Sequence, residues 1–271
     1  MKVLTSSGRA DGALRDEADR FVADLLSRYG AVYPWRPPIQ IEALAELLQV
    51  RVFEAAPLAG AKGMLFPGPA GFSIRLSSQV RDGRSFTIAH ELGHVLFYDK
   101  TNPRPQRRRD LDVDPPTEER ICDYIAANLL MPRDLVLRGA ISADRLSVAD
   151  VLLVHRTFGV SVRAAARRLL IDLYQARELL FTKWRGMRHD RLGDLLTLDW
   201  TEGLTASSMT GLVAPRASVL YEALAHPGIS RGLDRLPLGS RRVTWTQATA
   251  WTDREPPVVF GLHQSIPALE S

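Results

Sequence analysis

The chain has little of what marks secreted, membrane or strongly charged proteins. Its 271 residues include one cysteine, Cys122, which excludes an intramolecular disulfide and fits a reducing compartment. No apolar run approaches the roughly 20 residues that span a bilayer, and the longest, from Val148 to Val154, contains Asp150. The net charge is only +4, which alone does not indicate nucleic-acid binding. We therefore expect a cytoplasmic protein that does not associate with membranes.

The chain does contain a His-Glu-x-x-His pattern, formed by His90, Glu91 and His94. Two histidines four residues apart project from one face of a helix. In this pattern their imidazoles bind zinc (Zn²⁺), and the carboxylate between them acts as general base on water. Apolar residues on both sides predict a buried helix. The alternative is a pair of ordinary core histidines, but burying two histidines and a glutamate without partners is costly. The pattern therefore predicts a metal-dependent hydrolase with Glu91 as the catalytic residue.

A third zinc ligand is expected from a second helix, which the apolar spacing predicts from Glu118 to Pro132. Glu118 and Glu119 lie in its first turn, where acidic residues also complement the helix dipole. Asp123 lies four residues after Glu119, on the same face, and can accept the N–H that a ligating histidine usually donates to a carboxylate. We therefore predict Glu119 as the third ligand and Asp123 as the partner of a ligand histidine. Glu118 stays open as an alternative ligand.

The two predicted helices together resemble those of the ImmA/IrrE family of metallopeptidases. Members carry a Phe-Thr-x-Ala-His-Glu-x-x-His helix, which here is Phe86–His94. Their second helix begins at the ligand glutamate and closes on Leu-Met-Pro, here Glu119–Pro132. The resemblance covers residues 15–170 and implies a gluzincin-like core with zinc as cofactor. It also implies an endopeptidase that cleaves a helix-turn-helix repressor and so derepresses a stress, phage-related or antiphage operon.

The order of predicted elements indicates an α+β fold with three parts. Residues 1–140 are expected to form the zinc peptidase core, a small sheet with helices. Residues 141–186 are expected to form a helical, helix-turn-helix-like extension packed on that core. Residues 187–271 are expected to form a small α+β domain, for which a sensor role is one interpretation. Within the core, the strand from Phe72 to Leu76 is predicted as an unpaired edge that binds extended substrate.

Two groups of arginines allow more than one interpretation. The segment that joins the two metal-binding helices carries Arg104, Arg107, Arg108 and Arg109. A solvated loop is the favoured interpretation, and contact with an acidic substrate segment or with nucleic acid is the alternative. Arg163 and Arg167 follow a Phe-Gly-Val-Ser turn that resembles the turn of a helix-turn-helix. Helix packing is favoured there and DNA contact is the alternative, so single-stranded DNA stays open as an activator.

Two classes of function fit these patterns. The first is a regulatory zinc endopeptidase that acts on a repressor. The second is a non-proteolytic DNA- or protein-binding regulator, an anti-repressor with a structural or vestigial zinc site. Glu91 favours the peptidase, because a structural zinc site needs no general base. The donor that would stabilise the tetrahedral oxyanion is not identified by the sequence, which offers Tyr98, Tyr124 and His155.

Overall fold

The computed structural model describes residues 6–58, 60–69, 71–80, 83–99, 105–138, 146–176, 179–187, 195–203, 212–226, 228–234, 236, 244–253 and 256–265. Helices and strands are mixed along these residues, which confirms the predicted α+β class. The chain forms two compact units, one of residues 1–138 with 157–160 and one of residues 139–156 with 161–271. The three-part division predicted from the sequence stays a prediction.

In the residues that the structure describes, the first unit combines five helices with a three-stranded sheet and a short ribbon. Its helices are α1 Ser6–Val32, α2 Ile41–Leu47, α3 Arg84–His94, α4 Pro115–Leu130 and α5 Arg133–Leu137. Its sheet strands are β1 Val50–Ala55, β2 Gly63–Gly68 and β3 Gly71–Ser77, and the ribbon consists of β4 Tyr98–Asp99 and β5 Gln106–Arg107. A 3₁₀ turn, Val95–Phe97, extends α3, and another, Arg109–Leu111, precedes α4.

The sheet of the first unit has the order β1-β3-β2, with β3 parallel to β1 and antiparallel to β2. Phe72, Ile74 and Leu76 of β3 are buried, as the alternation of apolar residues predicts. The prediction that the Phe72–Leu76 strand is an unpaired edge is wrong, because β3 has a neighbour on both sides. In the described part of the chain, β2 pairs only with β3 and is the edge strand that lies beside α3.

Helices α3 and α4 pack closely against each other. Ile88 and Leu92 of α3, like Ile125 and Leu129 of α4, are completely buried. Gly93 permits the approach, because a Cβ atom at this position would lie 2.9 Å from the Cα atom of Cys122. Cys122 is buried at that contact, where burial raises the pKa of its thiol. The two helices are therefore held at a distance that a larger side chain would not allow.

The second unit contains an antiparallel sheet with the order β7-β6-β10-β9-β8. Its strands are β6 Leu179–Met187, β7 Leu195–Glu202, β8 Ser230–Asp234, β9 Thr244–Trp251 and β10 Val258–Ser265. Helix α8, Val219–Ala225, packs on one face against Trp184 and Val259. The sequence predicts a helical extension up to residue 186, but its last residues, 179–186, belong to strand β6, which pairs with β10 and β7.

Two further helices, α6 Val148–Phe158 and α7 Val162–Arg167, precede the sheet, and a π-helical turn, Arg168–Leu173, follows them. The guanidinium of Arg163 lies over the Trp200 ring, 5.6 Å from its centroid. His155 contacts Trp251 with a centroid separation of 5.7 Å. The resemblance to a helix-turn-helix therefore coincides with a helix pair whose side chains contact the sheet. No helix among the described residues is long and apolar enough to cross a membrane.

Candidate metal centre

The candidate metal centre is built from facing side chains of α3 and α4. His90 and His94 lie one helical turn apart on α3, with ring centroids 5.2 Å apart. Helix α4 begins at the N-cap Asp114, whose carboxylate accepts the backbone N–H of Thr117 at 3.0 Å. The sequence suggests Thr117 itself as N-cap. The helix begins earlier, because the prolines at 115 and 116 are tolerated in a first turn, where backbone N–H groups have no partner within the helix. This start places Glu118 and Glu119 in the helix opposite α3.

Three groups converge as the sequence predicts, since ligand atoms of His90, His94 and Glu119 all lie within 4.8 Å of one another. One Glu119 oxygen is 3.0 Å from His90 Nε2 and the other is 3.6 Å from His94 Nε2. Two ligands that each bind a tetrahedral zinc ion at about 2.0–2.1 Å are about 3.3 Å apart. The observed distances bracket that value, and two imidazoles with a carboxylate are a donor set that zinc accepts. The residues therefore fit a zinc ion.

Both histidines are oriented by a carboxylate on the nitrogen that does not face Glu119. His90 Nδ1 donates to Asp123 Oδ1 at 2.9 Å, and His94 Nδ1 donates to Glu118 Oε1 at 2.8 Å. These hydrogen bonds leave the Nε2 lone pairs free for a metal. Burial alone would lower the pKa of His90, but the hydrogen bond to Asp123 and the neighbouring carboxylates outweigh it and raise that pKa.

Glu118 is held on its other side by Arg107 of β5. Arg107 Nη1 donates to Oε1 at 2.9 Å, and Nη2 donates to Oε2 in a second contact. The hydrogen bond from Arg107 lowers the pKa of Glu118 most strongly, and the one from His94 adds to it. Sequence reasoning left Glu118 as an alternative ligand and missed its role beside His94. The sequence contains a signal for this role, because each predicted ligand histidine is expected to donate its other N–H to a carboxylate, a carbonyl or water, and Asp123 can serve only one of them.

Glu91 is almost completely buried, with 7% of its surface exposed. Burial raises its pKa, while the charges of His94 and His90 and a hydrogen bond from the Leu65 backbone N–H act in the opposite direction. Leu65 belongs to β2, and Gly63 of the same strand lies so close that a Cβ atom there would be 3.3 Å from Glu91 Cγ. The edge strand therefore holds the predicted general base from one side.

The other predicted residues lie in different surroundings. Arg108 donates to Asp110 and to Glu17, and Arg109 begins the 3₁₀ turn before α4. Arg163 and Arg167 both pair with the buried Glu202, at 2.9 and 3.7 Å. Arg104 lies outside the described residues.

Of the oxyanion-stabilising candidates, Tyr124 donates its hydroxyl to Asp19 of α1 at 2.5 Å. Tyr98 packs edge-on against Phe72 with centroids 5.4 Å apart. His155 belongs to the second unit, where it contacts Trp251. These contacts assign none of the three to the oxyanion.

Comparison with known proteins adds a family match to this geometry. Residues 45–170 match the family model for the IrrE N-terminal-like domain, peptidase M78. No curated protein matches the chain. Among solved structures, a Mycobacterium tuberculosis transcriptional regulator is similar with a TM-score of 0.49 and 20% sequence identity, over 93% of this chain and 76% of that one.

Proposed function

We propose that this chain is a zinc-dependent endopeptidase whose substrate is a helix-turn-helix repressor, since residues 45–170 match the family model for the IrrE N-terminal-like domain of M78 peptidases. The observation that carries the activity is the convergence of His90, His94 and Glu119 beside the buried carboxylate of Glu91. The repressor as substrate rests on the family resemblance. Derepression of a stress, phage-related or antiphage operon would be the consequence of cleavage.

In this proposal His90, His94 and Glu119 hold the zinc ion. Bound zinc supplies Lewis-acid activation of water and of the peptide carbonyl. Asp123 and Glu118 keep the two imidazoles oriented through their Nδ1 atoms, at 2.9 and 2.8 Å. The centre thus has three protein ligands, the number typical of catalytic rather than structural zinc sites.

Glu91 is the proton carrier of the proposed reaction. One of its carboxylate oxygens takes a proton from the attacking water and then gives it to the nitrogen of the leaving amine. The Leu65 N–H orients the carboxylate, and its burial keeps other water away.

The edge strand β2 is the proposed docking place for the substrate backbone. Within the residues that the structure describes, its outer side has no strand partner, so an extended peptide can add to it by main-chain hydrogen bonds. Because Gly63 and Leu65 of β2 contact Glu91, a peptide on this edge runs beside the general base. The proposal therefore transfers the substrate-binding edge from β3, where the sequence predicted it, to β2.

The replacement Glu91→Gln tests the catalytic part of the proposal. Since it removes the base but keeps the ligands, we expect zinc content to be retained while cleavage of the repressor falls about 10²–10⁴-fold. Glu222→Gln, on the exposed side of α8 in the second unit, serves as control and should cleave normally. Full derepression by the Glu91→Gln protein in cells would contradict the peptidase and favour the non-proteolytic anti-repressor.

The effect of single-stranded DNA on cleavage is measured in the same experiment. Arg107, Arg108, Arg163 and Arg167 are all engaged with carboxylates. We therefore propose that cleavage does not depend on nucleic acid, and we expect equal rates with and without single-stranded DNA. A rate increase that disappears at high salt would contradict this expectation and restore DNA as an activator.

A further inference from the structure

Arg107 lies in the short ribbon between the two metal-binding helices and contacts neither ligand atoms nor the general base. We infer that Arg107 is a positioning residue for the metal ligand His94 and that it acts through Glu118. The inference rests on the proposed zinc site. It gives a defined role to one arginine of a segment whose sequence suggests a solvated loop.

The Glu118 carboxylate is held by His94 and Arg107 together. Its oxygen Oε1 accepts from His94 Nδ1 at 2.8 Å and from Arg107 Nη1 at 2.9 Å, while Oε2 accepts from Arg107 Nη2. A two-point contact with a planar guanidinium fixes the plane of the carboxylate as well as its position. The oxygen that meets His94 is therefore held in place, and with it the orientation of the imidazole ring.

Two adjacent carboxylates of α4 are available as the third zinc ligand. Glu118 and Glu119 are neighbours on α4, and either residue type binds zinc. The Glu118 side chain is only 12% exposed and is occupied by Arg107 and His94, whereas that of Glu119 is 59% exposed and faces both Nε2 atoms. Arg107 thus keeps Glu118 on the Nδ1 side of His94 and leaves Glu119 to bind the metal.

Arg107 is itself anchored by two aromatic rings. Its guanidinium carbon lies 5.5 Å from the centroid of Phe97 and 5.3 Å from that of Tyr98. Phe97 is fully buried directly after α3, so Arg107 connects the end of α3 to the start of α4. The other ligand histidine has no such support: in the described part of the chain, Asp123 pairs only with His90, and its side chain is 61% exposed. The arginine therefore serves His94 specifically.

Zinc affinity of the full-length protein, measured by competition with a chromogenic chelator, tests the inference without any cleavage assay. Loss of a residue that orients a ligand typically weakens metal binding 10–100-fold, and we expect Arg107→Ala to fall in that range. Arg107→Lys should lie between the wild type and Arg107→Ala, because an ammonium cannot make the two-point contact.

Arg108→Ala is the matched control, because Arg108 is adjacent, pairs with Glu17 and Asp110, and does not contact Glu118. We expect its zinc affinity to stay within about twofold of wild type, even where its stability falls. In a double-mutant cycle, Arg107→Ala should have no further effect once Glu118→Ala is present, since Arg107 acts through Glu118.

The outcomes separate this inference from the proposed function. A wild-type protein that does not bind zinc would overturn the proposed function. A wild-type protein that binds zinc, with Arg107→Ala binding it equally well, would overturn the inference alone. Equal losses in Arg107→Ala and Arg108→Ala, or additive losses in the cycle, would also overturn it, because they indicate a general structural effect.

Discussion

We expect Gly93→Ala to weaken zinc binding at the candidate metal centre much more than it changes the stability of the first unit. A Cβ atom at position 93 would lie 2.9 Å from Cys122 Cα, 3.2 Å from its Cβ and 3.3 Å from its carbonyl oxygen. Carbon atoms in ordinary contact are about 3.5–4.0 Å apart. Because the nearest atom belongs to the backbone of α4, no side-chain rotation relieves the overlap. The two helices must therefore separate by roughly 0.5–1 Å at this point.

The expected change in the free energy of unfolding is small because two effects oppose each other. Overpacking at a helix contact costs about 1–3 kcal/mol, whereas replacing glycine by alanine within a helix gains about 1 kcal/mol. Zinc binding has no such compensation. A metal site tolerates ligand displacements of only about 0.2 Å, and the histidines lie on α3 while Glu119 lies on α4. We therefore expect zinc affinity to fall on the order of tenfold or more, equivalent to about 1.4 kcal/mol.

The assay combines zinc competition with urea denaturation, and Gly12→Ala is the control. Gly12 lies within α1, and a Cβ atom there would meet nothing within 4 Å. That variant should gain up to about 1 kcal/mol of stability and bind zinc normally. Adding Cys122→Ala to Gly93→Ala should not restore zinc binding, since the overlap with the backbone persists. If Gly93→Ala binds zinc like wild type and gains stability like Gly12→Ala, the packing argument is refuted.

Three further predictions concern other parts of the chain. His263 is buried between Thr182 and Thr246, and burial lowers its pKa to about 3. The unfolded chain therefore binds the extra proton first, and stability, complete above about pH 6.5, falls by about 2 kcal/mol at pH 5. His263→Gln should flatten this dependence in urea denaturation at pH 5 and pH 7. Gly63→Ala should lower cleavage but not zinc affinity, because its Cβ would meet Thr87 Cγ2 at 2.6 Å beside Glu91, and adding Thr87→Ser should restore part of the rate. Asp114→Ala should cost about 1 kcal/mol in thermal unfolding through the lost N-cap of α4, and Asp114→Asn should not.

The helices that carry the candidate metal centre were predictable because their signals are local. The spacing of His90 and His94 and the apolar stripe of α4 each lie within one helix, so periodicity and motif suffice to find them. The order of strands in the sheet, in contrast, depends on contacts between separate segments of the chain. β2 and β3 both contain apolar residues, and only the assembled sheet determines that β3 is central and β2 is the edge. Strand β6 likewise depends on its pairing with β10 and β7, which lie later in the chain, whereas the sequence predicts a helical segment up to residue 186.

The side-chain contacts around the proposed ligands were less predictable than the convergence of His90, His94 and Glu119 itself. Asp123 could be inferred because it lies on the same helical face as Glu119. Arg107 could not, because its contact with Glu118 spans a segment whose path the sequence does not specify. The N-cap of α4 is Asp114 and not Thr117, which the sequence suggests. Local signals do not distinguish the two, because an Asp-Pro-Pro start and a Thr start are both compatible with a helix N-terminus.

Gly93 has opposite effects within its own helix and at the contact between α3 and α4. Within α3 it weakens the helix, and its position between Glu91 and His94 has no local explanation. The explanation is the contact with α4, where Cys122 leaves no room for a side chain at position 93. Gly93 therefore fixes the distance between the helices, on which both histidines depend, whereas Arg107 fixes the orientation of His94 alone. Because Gly93→Ala displaces both histidines from Glu119 and Arg107→Ala releases one, zinc affinity should fall further in the first variant if distance governs the site. The reverse order would mean that orientation of His94 governs it.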